Sequence, residues 1–394
     1  MPDRRDIAAF AKRALVLGFV AAASTALFQF WHASLWGLPI TKVISYALFF
    51  LLIGLLARRS TGALQRQAGG ELPLLATALI GVLAFHLREH RASLLAPPRV
   101  DIGTDTILAA RDFLSFRLNP YLDTRIGAIG QIHQQWGFHY GPAMLLGYLP
   151  AGIWGDVAYK LMTLIYLALT AWLCGELAVD KARPRAERAA CRLFAALLLL
   201  LPSTLWSELF ISGVCDLFPV FLMLLSICLV ERKRLLLAGV AAGLSFSAKF
   251  IPAIALLALF IRWRPHWRAW CGVAIGFIPL LLAGVFWGRH FWLAAVAFHA
   301  SKPYDFSSLL WYIPVRYHVL FTGLQVASAG ILILLNLRRP LESGRLVLHA
   351  AILIAVLSVT FKEVHGNHSL WCFPLLVILL AKYSYRFAPA QPAT

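Results

Sequence analysis

Val157 to Val179 reads VAYKLMTLIYLALTAWLCGELAV, and the loop behind it carries Lys181, Arg183, Arg185, Arg188 and Arg192. A bilayer core asks for about 20 apolar residues per helical span, and this run supplies them. Backbone groups facing lipid must be satisfied within the segment, so the run is a helix rather than a strand. The basic residues that follow mark its cytoplasmic end, because short cytoplasmic loops keep their Lys and Arg during insertion.

The same pattern extends in both directions. Toward the N-terminus, spans are expected near Ala14 to Leu35, Ile40 to Ala57 and Leu72 to Leu87. Toward the C-terminus they are expected near Leu193 to Phe210, Leu217 to Val230, Leu235 to Ala248, Ile251 to Ile261, Trp270 to Gly288, Val319 to Leu337, Leu346 to Phe361 and Leu370 to Lys382. The expected fold class is therefore all-α, a polytopic transmembrane bundle of about twelve spans. Composition agrees, with 60% hydrophobic and 14% charged residues and a mean hydropathy of +0.74. Those values exclude a soluble domain, and the length of the apolar runs excludes a β-barrel.

The basic clusters alternate in phase with the spans. Arg4, Arg5, Lys12 and Arg13 precede the first, Arg58, Arg59 and Arg66 follow the second, and Arg232, Lys233 and Arg234 continue the series. Arg262, Arg264 and Arg268, then Arg338, Arg339 and Arg345, then Lys382 and Arg386 complete it. Both termini are expected in the cytoplasm, and the first apolar run is expected to stay as an uncleaved anchor, since a second span follows almost at once. The net charge of +18 is spread over helix ends, so topology and anionic lipid account for it without nucleic acid. Six cysteines, Cys174, Cys191, Cys215, Cys228, Cys271 and Cys372, show neither disulfide nor zinc spacing.

Polar residues gather on the opposite side. Arg88 to Asp156 is a connection of about 70 residues, long enough to carry function, and it holds Asp101, Asp105, Asp112, Asp123, His133, Trp136, His139 and Tyr140. Tyr140 to Trp154 reads as an interrupted helix lying along the membrane interface. Glu208, Ser212 and Asp216 share a helical face unless Gly213 turns the chain first. Lys249 ends one short helix and Pro252 starts the next, with Gly239, Gly243, Ser245 and Ser247 allowing close backbone approach. Lys249 and Asp216 either line a polar cavity or pair to hold two helix ends together. The segments Arg289 to His318 and Lys362 to His368 face the same way, and His365 with His368 lies on the second. No histidine pattern suits a metal, and no nucleotide-binding glycine loop is found. No cofactor is expected.

A cavity bordered by lipid and lined with carboxylates, Lys, Arg and His suits a substrate with an apolar tail and an anionic head. A lipid-linked phosphosugar has that chemistry. One carboxylate would act as general base on an acceptor hydroxyl, and cations would hold the departing phosphate.

Over Leu72 to Tyr385 the order of motifs resembles the GT-C superfamily of integral-membrane glycosyltransferases, in particular its polyprenyl-phosphate-mannose-dependent mannosyltransferase branch. The motifs are Asp101-Ile102-Gly103-Thr104-Asp105, Ala109-Ala110, Asn119-Pro120-Tyr121, Tyr140-Gly141-Pro142, Gly213-Val214-Cys215-Asp216, a Gly-rich helix from Gly239 ending at Lys249 and Pro252, and Trp371-Cys372-Phe373-Pro374. Two spans precede the usual first one, and Arg117-Leu118 stands where a Gly is usual before Asn-Pro-Tyr.

The resemblance implies a two-helix hairpin at 1–71 added before a catalytic core at 72–385, an external catalytic loop at 88–156 with interfacial helices, and a short cytoplasmic tail at 386–394. It implies an inverting transfer of mannose or a similar sugar from a polyprenyl-phosphate donor to a lipid or glycan acceptor, at the periplasmic face of a bacterial inner membrane. Asp105 or Asp101 would be the base. Lys249, Arg316, Lys362 and Arg289 would meet the donor phosphate, and Tyr140, His365, Asp216 and Trp136 the sugar or acceptor. A transporter or flippase of lipid-linked glycans, or a surface-polysaccharide polymerase, would share much of this outline.

Overall fold

The computed structural model describes residues 4–35, 43–44, 47, 71–115, 119–122, 126, 137–250, 266–301, 308–338, 343–359 and 368–384. The expected spans at Ile40 to Ala57 and Ile251 to Ile261 lie outside the described residues, as do Trp136, Lys362 and His365. Of the described residues 86% are helical and none is in a strand.

The helices that matter for the site are α1 (Arg4–Leu35), α2 (Glu71–Glu89), α3 (Arg91–Leu95), α4 (Asp101–Ser115), α5 (Pro142–Gly147), α6 (Leu149–Ala178), α7 (Arg185–Leu200) and α8 (Ser203–Trp206), which runs on as a wider π turn, Ser207–Ser212. They continue with α9 (Leu217–Glu231), α10 (Leu235–Ala248), α11 (Trp267–Gly276), α12 (Ile278–Phe286), α13 (Gly288–Trp292), α14 (His318–Arg338), α15 (Ser343–Val359) and α16 (Ser369–Ser384).

By length and composition, three spans among the described residues are long and apolar enough to cross a membrane: Leu72–Glu89, Leu149–Ala178 and Trp267–Phe286. A fourth arises if the bent pair Arg185–Leu200 and Ser203–Ser212 is one span, and five further apolar helices are shorter. Two of the expected twelve spans lie outside the described residues and several others coincide with these shorter helices, so the tally among the described residues does not confirm the count of twelve.

One such break shapes the molecule. The chain turns by 66° between α7 and α8, at Pro202, whose ring lacks the N–H that would continue the ladder. The Trp206 indole donates to the Leu200 carbonyl at 2.8 Å across the bend. At the far end of the π turn, Gly213 takes φ +80°, a left-handed conformation that glycine adopts without strain. Its N–H closes on the Glu208 carbonyl at 2.9 Å. From α6, the Tyr159 hydroxyl donates to the Gly213 carbonyl at 2.6 Å, and the buried Lys160 ammonium donates to the Phe210 carbonyl. The expected shared face of Glu208, Ser212 and Asp216 is therefore cut by Gly213.

Helices α10 and α11 are in backbone contact. An ideal Cβ on Gly239 would lie 2.1 Å from the Ala269 carbonyl oxygen, and one on Gly272 would lie 2.1 Å from that of Leu236. Small residues permit such approach where lipid provides no hydrophobic drive to associate. Buried serines fix the packing on both sides of α10: Ser247 Oγ donates to the Gly276 carbonyl of α11 at 2.9 Å, and Ser245 Oγ to the Pro219 carbonyl of α9 at 2.8 Å. Gly239→Ala gains up to about 1 kcal/mol of helix propensity but forces overpacking of about 1–3 kcal/mol. The net effect is a lower thermal midpoint in detergent. Gly323→Ala on α14, where a Cβ would meet nothing within 4 Å, serves as the control that loses no stability.

Candidate functional site

The site is assembled at one end of the bundle by three backbone junctions. In the first, the chain entering α4 pairs with the end of the π turn, Arg99 N–H to the Ile211 carbonyl at 3.1 Å and Val100 N–H to the Ser212 carbonyl at 3.0 Å. Gly103 then packs so closely that a Cβ would fall 2.5 Å from the Gly213 carbonyl oxygen. Thr106 meets the Cys215 thiol. This helix begins at Asp101, one turn earlier than the start at Thr106 that would make Asp105 its cap. Asp105 is therefore a helical residue, only 4% exposed, on the helix that abuts the Gly213 to Asp216 turn.

The second junction places Tyr140. Asn119 Oδ1 accepts from the Tyr121 N–H at 2.9 Å, forming a tight turn, and Phe138 N–H donates to the Pro120 carbonyl at 2.9 Å. The Tyr121 hydroxyl, whose pKa burial raises well above the ordinary phenol value, stays protonated and donates to the Tyr140 carbonyl at 3.2 Å. The third junction joins this loop to the end of α10. Gly141 N–H donates to the Ala248 carbonyl at 3.1 Å, and a Cβ on Gly141 would fall 1.9 Å from the Ser247 carbonyl oxygen.

Lys249 follows at once, in extended conformation at the helix end. Its ammonium meets Asp216 Oδ1 at 2.5 Å, with Asp216 fully buried and the lysine side chain 11% exposed. The Trp371 indole N–H donates to the same oxygen at 2.6 Å. The ammonium also lies 5.0 Å from the Tyr140 ring centroid and 5.1 Å from that of Trp371, within cation–π range. His368 stacks on the outer side of this group, 4.2 Å from the Trp371 ring. A buried carboxylate and ammonium are tolerable here because each has its opposite charge and hydrogen bonds.

Asp216, Lys249 and Tyr140 are thus brought together, with Asp105 on the adjoining helix. Arg289 on α13 and Arg316 ahead of α14 are exposed, and among the described residues neither side chain makes an ion pair or hydrogen bond, the Arg316 guanidinium lying 4.8 Å from the Tyr317 ring. Trp371, which holds Asp216, is the member of this cluster that the charge pattern misses, although the Trp-x-x-Pro motif contains it. Close to the site, His86 and His90 stack on Trp206, and burial pushes the His90 imidazole below its ordinary pKa while Glu89 partly offsets the effect. Among the described residues no group of three or more His, Cys, Asp or Glu could hold a metal ion.

These features define a helical membrane protein with a carboxylate-rich polar centre at one end of its bundle. The sequence from 138 to 364, more than half of the chain, matches glycosyltransferase family 87, and the chain belongs to that family. It is accordingly a glycosyltransferase, using a sugar donor and an acceptor. The match takes in Tyr140, Asp216, Lys249, Arg289, Arg316 and Lys362, and leaves Asp101, Asp105, His365 and Trp371 outside it. No curated protein and no solved structure matches the chain.

Proposed function

We propose that this glycosyltransferase is of GT-C type and moves a sugar, mannose or a similar hexose, from a polyprenyl-phosphate donor to an acceptor hydroxyl at the periplasmic face of a bacterial inner membrane. Asp105, or Asp101 one turn before it, takes the proton from the acceptor hydroxyl. The resulting oxygen attacks the anomeric carbon from the face opposite the phosphate, and the C–O bond to the lipid phosphate breaks with inversion. A lipid phosphate is a good leaving group, so no second carboxylic acid is needed to protonate it, unlike in a typical glycosidase.

The observation that carries this reading is a carboxylate at 4% exposure, Asp105, packed through Gly103 against the turn that leads to Asp216 and its ammonium partner Lys249. An ionisable residue in a lipid-embedded chain marks function by default. Lys249 spends one of its three N–H donors on Asp216 and keeps the others for the donor phosphate. Arg289, Arg316 and Lys362 contribute further positive charge along the phosphate's path, while Tyr140, Trp136, His365 and Asp216 border the sugar and acceptor. The hairpin at 1–71 is an addition to the core at 72–385.

Purified protein incubated with a polyprenyl-phosphate hexose and membrane lipid acceptors is expected to transfer the hexose, and to leave nucleotide-diphosphate hexoses untouched. Transfer from the nucleotide donor alone would overturn the proposal.

A further inference from the structure

A second feature is an apolar groove that none of the site residues Asp105, Asp216, Lys249 and Tyr140 lines. Helices α2, α6 and α7 enclose an apolar groove of about 330 Å³, lined by Leu79, Leu83, Leu164, Ala168, Leu193 and the ring of Trp206, and closed at its other end by Trp172, Gly175 and Arg192. Along α6 the groove runs from Leu164 to Gly175, about 17 Å at 1.5 Å per residue. That is close to the depth of one leaflet, half of a hydrocarbon core of about 30 Å. Gly175 is also about 24 Å along the same helix from Tyr159, which abuts the Gly213 turn.

The Arg192 end is strongly basic. The Glu176 carboxylate is shared by two guanidiniums, Arg192 Nε at 2.7 Å and Arg232 Nη2 at 3.1 Å. Two guanidiniums carry more N–H donors than one carboxylate can accept, and the trio keeps a net positive charge. Both arginine side chains are more than 40% exposed. Arg232 also lies 5.7 Å from the exposed Trp172 ring, an amphipathic side chain suited to headgroup depth. Lys181 lies in the turn before α7, and Arg185 and Arg188 lie in the first turns of α7, the helix that carries Arg192.

We infer that this groove binds an anionic bilayer phospholipid, with one acyl chain between α2, α6 and α7 and its phosphate on Arg192 and Arg232. The groove's length matches a single chain in one leaflet, its wall offers that chain only apolar contacts, and the charge at its mouth complements a phosphodiester. Basic pockets between membrane helices hold anionic headgroups for this reason.

The test uses the full chain, purified in detergent and titrated with phosphatidylglycerol or phosphatidylcholine of identical acyl chains, with bound lipid counted by native mass spectrometry. Phosphatidylglycerol is expected to be retained over phosphatidylcholine. Arg192→Gln is expected to reduce its retention about fivefold. Ala168→Trp, which fills the groove from an exposed position, is expected to displace both lipids. Arg192→Lys, which keeps the charge, is expected to restore most of the preference and guards against a folding defect in Arg192→Gln. Equal retention of the two lipids, or an effect in only one of Arg192→Gln and Ala168→Trp, would overturn the inference. So would displacement of phosphatidylglycerol by a polyprenyl phosphate, which would give the groove to a substrate tail.

Discussion

Asp105→Asn is expected to lower sugar transfer by about 10²- to 10⁴-fold, the contribution of a positioned general base, with a much smaller effect on the thermal midpoint. The stability half of this expectation follows from burial. At 4% exposure the side chain is packed within the bundle, and an amide of the same shape keeps that packing. The activity half follows from chemistry, since an amide cannot accept the acceptor's proton at neutral pH. Asp101 supplies the contrast. It is the first residue of α4, where a carboxylate stabilises the free N–H groups of the helix start by about 0.3–1 kcal/mol.

Asp101→Asn is therefore expected to cost a little stability and little turnover. Initial rates with saturating donor and acceptor, measured beside thermal unfolding, separate the two. If Asp101→Asn carries the rate loss instead, the base is Asp101, and full activity in the doubly substituted protein removes a carboxylate base from the mechanism altogether.

The reach of sequence reasoning depends on how local the cause is. The helix expected at Leu235 to Ala248 matches α10 at both ends, because its limits are set by adjacent arginines and by the polar residue that follows. The start of α4 was not legible, since it is fixed by hydrogen bonds from Arg99 and Val100 to Ile211 and Ser212, more than a hundred residues away. The same holds for Trp371, whose bond to Asp216 crosses a sequence separation of 155. Gly213 was legible as a possible turn, but its left-handed geometry depends on the Glu208 carbonyl and the Tyr159 hydroxyl around it. Two readings of Lys249 and Asp216 were open from the sequence. The observed pairing leaves both standing, because the contact uses one of the three N–H donors of Lys249.

Lys249→Met and Asp216→Asn separate those readings. Lys249→Met takes the ammonium away from a fully buried carboxylate, and breaking such a pair costs about 3–5 kcal/mol. Asp216→Asn is milder. The ammonium keeps the faces of Tyr140 and Trp371, worth about 0.5–2 kcal/mol, and the amide oxygen still accepts from the indole. In the double variant no charge is buried, so the thermal midpoint is expected to return close to the parent's.

Activity then decides. If the pair only fastens the end of α10 to the turn before α9, transfer recovers together with stability. If Lys249 also holds the donor phosphate, transfer stays down by the factor of about 10² or more that a lost electrostatic contact in a water-poor site removes, with the double variant as stable as the parent. The second outcome is the expected one, because the contact with Asp216 uses one of the three N–H donors of Lys249 and the lysine side chain is not fully buried. Unfolding curves and transfer rates on the three variants, measured in the same detergent, give the answer directly.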